Sequence, residues 1–296
     1  MTAIQEHSAI AKVWDQQSVW SRSADQLKKS VEGARTASLA LGIAAAVLGT
    51  AAAQAMGWSP TVGTVLAFAA ACAAGAVPVV AQRGGPGRLN DWTRLRAVSE
   101  ALKAEVYTCL AGVGPYRATA ETGALLAERS RAYRGDGGDL VRYTAEVTAK
   151  VRPLPPVTDI DSYVEHRLRR QIDSYYRPKA RWMTRRLRVV GWIEAVLGGV
   201  GAVLAAAAGA FSIGWLAGWV AVAASVSVAV IAHAVAQRYA YQQLEFMRTA
   251  EELERLLDRW DADAVRTPEL AEALVAECEH VISIQNEAWM IRWTVG

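Results

Sequence analysis

The sequence predicts an all-α integral membrane protein with two transmembrane helical hairpins, whose long helices extend into a cytosolic helical bundle. Three observations predict this fold class. The 296-residue chain has a run at 36–82 without Asp, Glu, Lys, Arg or His, and a second apolar stretch at about 189–236. Around both stretches, apolar residues recur at spacings of three and four. Apolar runs of this length are typical of paired spans, and the three-four spacing is typical of amphipathic helices.

Each apolar stretch divides into two segments that are long enough to cross a membrane. Residues 57–60 separate spans at about 37–56 and 61–81, and the second stretch contains spans at about 189–209 and 213–236. At a rise of 1.5 Å per residue, about 20 helical residues cover the roughly 30 Å of a hydrocarbon core. The sequence therefore predicts four spans.

Basic residues flank the spans on one side only. They precede the first and third spans and follow the second and fourth, whereas the turns at 57–60 and 209–214 are uncharged. Short loops rich in Lys and Arg stay in the cytoplasm. We therefore expect both termini and the long middle segment to be cytoplasmic. The flanking residues are Lys28, Lys29, Arg35, Arg83, Arg88, Arg94, Arg96, Arg181, Arg185, Arg186, Arg188, Arg238 and Arg248.

The segments outside the spans predict further helices. Continuous helices are expected at about 8–56 and 213–260, and shorter ones at 118–133 and 140–150. A last helix should begin after Thr267. The residues expected on buried faces are Ile10, Val13, Gln17, Trp20, Ala24, Leu27 and Val31; Trp92, Leu95, Ser99, Leu102, Val106 and Cys109; Val164, Leu168, Ile172 and Tyr175; Leu244, Met247, Leu253, Leu257 and Trp260; and Leu270, Leu274, Cys278, Val281, Gln285 and Trp289.

The chain divides into two related halves, 1–152 and 153–296. The Pro-rich stretch 153–156 is the predicted boundary, because Pro-rich segments form stiff linkers. Residues 46–49 and 195–198 share the sequence Ala-Val-Leu-Gly. Both hairpins enter from the cytoplasmic side, so the halves are parallel and lack the inverted relation of many secondary transporters.

The sequence contains no signature of catalysis or of cofactor binding. We find no phosphate-binding Gly-rich loop, no zinc-protease motif, no nucleophile elbow and no dinucleotide fingerprint. The three cysteines and four histidines are scattered without metal-ligand spacing. We therefore expect neither enzymatic activity, nor a cofactor, nor a metal site.

Two titratable residues lie inside the predicted second hairpin. Glu194 is about one turn inside the third span, and His233 enters the fourth span from the same side. In an antiparallel hairpin the two side chains would lie within about a turn of each other and could share a proton or a hydrogen bond. One interpretation is that they reach the headgroup region or stabilise the hairpin. The other is a titratable or ion-attracting site at the mouth of a pore.

Aromatic and basic residues mark the expected membrane boundaries. Trp58 and Trp215 lie near the outer turns and Trp192 near the inner end of the third span, where Trp anchors helices at the interface. A dense basic run covers 167–188, and its candidates for lipid or anionic-ligand contact are Arg181, Arg185, Arg186 and Arg188. Lipid anchoring is one interpretation, and recognition of a soluble anion such as a nucleotide is the other. No basic-aromatic module for nucleic acid accompanies the run.

Three segments resemble a known family. Residues 14–20, followed by a basic helix and an apolar hairpin, resemble SLATT domains, which are two-transmembrane modules associated with bacterial nucleotide-signalling defence systems. Residues 175–181 are similar to the entry of another SLATT subtype, and 277–289 to the end of that module. The resemblance covers nearly the whole chain as a tandem pair. It implies a bacterial inner-membrane effector that forms pores or perturbs the membrane, with a cytosolic sensor or nucleotide-signalling protein as partner.

These observations together predict an oligomeric pore. Four narrow spans are too few to enclose a water-filled path, so we expect a homo-oligomeric ring in the lipid bilayer, gated through the cytosolic helices. The alternative is a non-conducting membrane scaffold that recruits a cytosolic partner. Ser, Thr and Gln are sparse in the spans, so the sequence leaves both functions open.

Overall fold

The computed structural model describes residues 3–294 apart from 118 and 120, with the backbone alone for 3, 4 and 284–294. Over these residues the chain is built from helices and turns and contains no strand, which confirms the predicted all-α class. The α-helices are α1 (Ala3–Ala55), α2 (Pro60–Gln82), α3 (Pro86–Leu110), α4 (Thr122–Asp136), α5 (Val141–Thr144), α6 (Ile160–Tyr163), α7 (Arg177–Ala210), α8 (Gly214–Ala236), α9 (Tyr239–Ala262) and α10 (Pro268–Thr294).

The chain forms two compact units. The bundle unit comprises Met1–Lys29, Pro86–Ala180 and Leu244–Gly296, and the span unit comprises Ser30–Gly85 and Arg181–Gln243. Each unit therefore contains segments from both halves of the sequence. The predicted boundary at 153–156 separates two halves that are each continuous in sequence, which is a different division from these units. That boundary stays a prediction.

Among the described residues, four helical stretches are long and apolar enough to cross a membrane, namely Gln5–Ala55, Pro60–Leu110, Ile160–Ala210 and Gly214–Ala262. In the most apolar part of each, at most 11% of the residues are buried inside the protein. Within the first hairpin, Gly63 of α2 lies so close to the turn after α1 that a Cβ atom there would lie 2.9 Å from the backbone nitrogen of Met56. Within the second, a Cβ atom on Gly201 of α7 would lie 3.8 Å from the Cβ of Ala223 in α8.

Two apolar helix faces that the sequence predicts, one on α1 and one on α3, are buried in the structure. Helix α3 packs against α4 and α10. The predicted apolar stripes of α1 and α3 are confirmed, since every member except the half-buried Ile10 is buried. The buried members are Val13, Gln17, Trp20, Ala24, Leu27, Val31, Trp92, Leu95, Ser99, Leu102, Val106 and Cys109.

Two π-helical segments, Val164–Arg169 and Ile172–Tyr176, follow α6. In a π-helix the backbone hydrogen bonds join residues that are five positions apart, instead of four as in an α-helix. Residues on one face of a π-helix are therefore further apart in the sequence. The predicted position Tyr175 is only half-buried, and Tyr176 takes its place in the core. The prediction for Tyr175 is wrong because it assumed α-helical spacing. The buried stripe consists of Val164, Leu168, Ile172 and Tyr176.

The expected continuous helix at 213–260 is interrupted. Helix α8 ends at Ala236, and α9 begins at Tyr239 after a turn in which Arg238 has a positive φ of 51°. At this break the side-chain amide of Gln242 donates a hydrogen bond of 2.8 Å to the backbone carbonyl of Gln237, so this carbonyl has a partner. No Gly or Pro marks the break, which is why the sequence did not predict it.

The interruption also changes which residues of α9 are buried. Leu244 and Met247, which the uninterrupted spacing placed in the core, are each 44% exposed, while Phe246 and Ala250 are buried. Beyond this point the predicted residues Leu253, Leu257 and Trp260 are buried as expected.

Three further predictions need correction or fall outside the description. Helix α4 begins at Thr122, later than expected, and the predicted helix at 140–150 is reduced to the single turn of α5. In α10, Leu274 and Cys278 are buried, whereas Leu270 is exposed. The side chains of Gln285 and Trp289 lie outside the described residues.

Candidate membrane-facing site

Glu194 lies on the face of α7 that turns toward α8. This face is half-buried and includes Leu197, Gly201 and Leu204, and Gly201 is the residue that meets Ala223 of α8. Among the described residues, Glu194 has no hydrogen-bond or ion-pair partner. A carboxylate without a partner on the inner face of a membrane span is expensive, and such groups commonly mark functional positions.

His233 lies near a cation at the basic end of α8. It is half-buried, and the positive charge of Arg35 in α1 acts on it. Arg35 donates a hydrogen bond of 3.2 Å to the carbonyl of Ala236. No hydrogen bond or ion pair joins Glu194 and His233 in the described part of the chain. Their role at a pore mouth stays a prediction.

A glutamine joins the two hairpins near their turns. Gln54 of α1 donates through Nε2 to the carbonyl of Trp215 at 3.1 Å, and its Oε1 accepts from Nε1 of Trp219 at 3.2 Å. Gly218 of α8 lies beside this contact, where a Cβ atom would be 3.1 Å from Cγ2 of Thr50. The sequence analysis missed this link. The signal was available, because Gln54 is the one amide side chain of the uncharged run before Gln82.

The three predicted interfacial tryptophans are all strongly exposed. Trp58 is 74% exposed, Trp192 68% and Trp215 59%. Trp192 lines a groove of about 430 Å³ along α7, and Trp215 lines a groove of about 420 Å³ between α7 and α8. Exposed Trp near the ends of a span suits the membrane interface, so these placements fit the predicted anchoring, which is itself untested.

The structure divides the basic run into two groups. Arg167, Arg169 and Arg177 each form an ion pair with a carboxylate of the bundle unit. By contrast, the four predicted contact residues in α7 are exposed, and none has a carboxylate within ion-pair distance among the described residues. These four are Arg181, Arg185, Arg186 and Arg188. The free positive charge of the run is therefore concentrated at the basic end of one span.

The bundle unit contains a buried ionic cluster formed by Glu100, Lys103, Arg167 and Glu279. Glu100 accepts from Arg96 at 2.6 Å and lies 3.7 Å from the Lys103 ammonium. Burial disfavours the Glu100 carboxylate, but Lys103 and then Arg96 outweigh this and lower its pKa to about 2. Burial lowers the pKa of Lys103 to about 8 despite the neighbouring carboxylate.

Arg167 is the most deeply buried charge of this cluster. Burial alone would lower the pKa of its guanidinium, but the Glu279 carboxylate outweighs burial and raises it. The guanidinium also lies over the ring of Tyr107, 4.6 Å from its centroid. The arginine is thus held charged inside the protein, and its role is structural because its donors are directed at protein groups.

Comparison with known families identifies the second half of the chain. Residues 163–289 match the family described as SMODS and SLOG-associating 2TM effector domain 1, abbreviated SLATT_1. The chain carries a SLATT domain. This confirms the resemblance seen at 175–181 and at 277–289. Residues 18–123 match a second family, described as a protein of unknown function, DUF4231. No curated protein and no solved structure matches the chain.

The SLATT domain includes both spans of the second hairpin and the helices on either side of it. It therefore contains Glu194, His233 and the free arginines of α7, and it begins and ends in the bundle unit, where Arg167 pairs with Glu279. The DUF4231 match covers most of α1, all of α2 and α3, and hence the first hairpin. Both the SLATT domain and the four apolar helices make this a membrane protein.

Proposed function

We propose that this SLATT protein is an effector that opens a homo-oligomeric pore in the membrane. The observation that carries the proposal is Glu194, a half-buried carboxylate without a described partner in the hairpin that matches a two-transmembrane effector domain. A titratable group at this depth attracts cations toward the mouth of a pore.

The exposure of the spans supports assembly from several copies. The apolar stretches have at most 11% of their residues buried within one chain, so most of their residues have surface that is available to lipid or to other copies. Four spans of one copy are too few to surround a water-filled path. A closed ring is the usual solution for identical subunits.

The bundle unit is the proposed receiver of the signal. The name of the matched family describes an association with SMODS and SLOG, so the proposed partner is a cytosolic sensor or nucleotide-signalling protein of that kind. Under this proposal both termini are cytoplasmic and the spans lie in a bacterial inner membrane. The effector acts without catalysing a reaction and without binding nucleic acid.

Ion flux from liposomes tests the proposal, with purified full-length protein whose oligomeric mass has first been measured. The informative variant is Glu194→Gln, and the matched control is Glu272→Gln, which removes an exposed carboxylate of the bundle unit. We expect flux from a defined oligomer, with a pH dependence that changes in Glu194→Gln and not in the control. A purely monomeric protein in mild detergent and in nanodiscs would contradict it.

A non-conducting scaffold is the second candidate, favoured by one specific observation. Beyond Glu194, the half-buried face of α7 continues through Leu197, Gly201 and Leu204 and offers no polar side chain to water. Under this alternative the spans only anchor a bundle unit that recruits a partner. An oligomer that stays silent under voltage, pH steps and candidate nucleotides, yet retains its partner, would establish the scaffold.

A further inference from the structure

One face of α7 changes from basic to apolar along its length. Arg181, Arg185 and Arg188 follow one another at spacings of four and three, and Trp192 and Val196 continue at spacings of four. Residues at these spacings lie on one side of an α-helix. All five side chains are exposed. The face therefore presents three guanidinium groups at one end and an apolar surface at the other.

The positive charge of this face is not neutralised within the protein. One turn earlier, Arg177 pairs with both Asp173 and Glu254. No carboxylate lies within ion-pair distance of Arg181, Arg185 or Arg188 in the described part of the chain. Three unneutralised arginines on one face form a site that is complementary to an anion.

A groove begins where these arginines end. It has a volume of about 430 Å³ and is lined by Arg188 at one end and Leu197 at the other, with Trp192 and Val196 between them. Nine residues of helix correspond to about 14 Å, close to the roughly 15 Å depth of one leaflet. The groove thus has the length of the part of a lipid that lies below its headgroup.

We propose that this face of α7 binds one anionic phospholipid. The phosphate accepts hydrogen bonds from Arg185 and Arg188, and an acyl chain lies along Trp192 and Val196. The combination of charge and apolar groove selects a lipid over a soluble anion, because a soluble anion gains nothing from the groove. It also disfavours a second copy on this face, since parallel subunits would bring their arginines to the same depth, where they repel.

Lipid retention measured on the full-length protein tests this site without depending on pore activity. The protein is equilibrated with phosphatidylglycerol or phosphatidylcholine in mild detergent, and bound lipids are counted by native mass spectrometry. We expect one phosphatidylglycerol per protomer to be retained in preference to phosphatidylcholine. The double variant Arg185→Gln/Arg188→Gln should weaken this retention about 25-fold, since each basic residue contributes about fivefold near anionic lipid.

Two further variants make the result specific. Arg83→Gln/Arg88→Gln removes the same charge after the first hairpin, and it should leave the retained lipid in place. Val196→Trp fills the groove without changing charge, and it should reduce retention while the melting temperature stays within a few degrees of the parent protein. Equal losses in the two arginine pairs would show attraction by surface charge alone and would overturn the site.

Two other outcomes would assign the face to a different occupant. If inorganic pyrophosphate displaces the lipid and Val196→Trp has no effect, the arginines bind a soluble anion. If Val196→Trp changes the oligomeric mass while lipid retention is unchanged, the face joins subunits. Either result overturns the proposal.

Discussion

Glu279 receives Arg167 in a bidentate ion pair inside the bundle unit. Nε of Arg167 lies 2.8 Å from Oε1 and Nη2 lies 2.7 Å from Oε2, while the hydroxyl of Tyr163 donates to the same Oε1 at 2.9 Å. The pair joins residues that are 112 positions apart, near the two ends of the SLATT domain. Because both carboxylate oxygens of Glu279 accept hydrogen bonds, the pair fixes the π-helical segment against α10.

Removing one partner of this pair should destabilise the bundle unit strongly. Glu279→Gln leaves a buried guanidinium without its counter-charge, which costs about 3–5 kcal/mol in unfolding free energy. The control is Glu277→Gln, which removes the exposed partner of Arg259 and should cost about 0–1 kcal/mol. Denaturant titration in detergent checks both. A Glu279→Gln protein as stable as the control would show that Arg167 is solvated in the native state.

The positive φ of Arg238 predicts an unusual preference for glycine. An L-residue in the left-handed region costs roughly 1–2 kcal/mol, and glycine avoids this cost. Arg238→Gly should therefore be about 1 kcal/mol more stable than Arg238→Ala, and comparing two variants cancels the loss of the arginine side chain. At Arg248, within the regular helix α9, the order should reverse, with alanine more stable by about 1 kcal/mol. The same order at both positions would mean that α8 and α9 form an uninterrupted helix.

The hydrogen bonds of Gln54 predict that replacing its amide by an apolar side chain lowers the stability of the protein. Gln54→Leu removes two hydrogen bonds to α8 and leaves Nε1 of Trp219 without its partner, which should cost about 1–2 kcal/mol in the membrane. Ser38→Ala is the matched change in the same helix. Because the Ser38 hydroxyl is buried without a partner, this variant should be neutral or slightly stabilising. Unfolding in mixed micelles distinguishes them, and equal effects would argue against the link.

Glu100 predicts a loss of stability in acid. Its pKa in the folded protein is about 2 because Lys103 and Arg96 outweigh the effect of burial, against 4.5 when unperturbed. The carboxylate therefore stabilises the fold fully above about pH 4.5, and this contribution is lost as the pH falls toward 2. Glu100→Gln should be less stable than the parent protein at pH 6, and the difference should shrink at pH 3. Melting temperatures at the two pH values, with Glu272→Gln as control, check this.

The sequence was sufficient for the long helices of the first half and for most of the buried faces. Apolar spacing in α1 and α3 identified positions from Val13 to Cys109 because α-helical periodicity is regular there. The same reasoning failed at Tyr175, since the π-helical segments change the number of residues per turn. It failed at Leu244 and Met247, since the turn at Arg238 changes which residues of α9 face the core. No Gly or Pro in the sequence indicates this turn.

The candidate site was predictable only in part. The four free arginines of α7 were identified by their density, but spacing alone could not show that Arg167 and Arg177 are neutralised by carboxylates far away in the sequence. Gln54 could have been singled out as an amide inside an uncharged run, but its partners Trp215 and Trp219 depend on which hairpin faces which, and a single sequence carries no signal for that pairing.

The packing of α3 against α10 has a consequence for how the protein is made. The two helices are separated by more than half of the chain, and ribosomes add about 5–20 residues per second. The buried apolar residues of α3, such as Leu102 and Val106, therefore wait roughly 10–30 s after synthesis before α10 exists to pack against that helix. During that interval the first hairpin can already be inserted, while its attached helix still exposes an apolar face to chaperones. Synthesis of α10 is thus the step that completes this core, and a chain that stops before α10 leaves an unfinished core for proteases to remove.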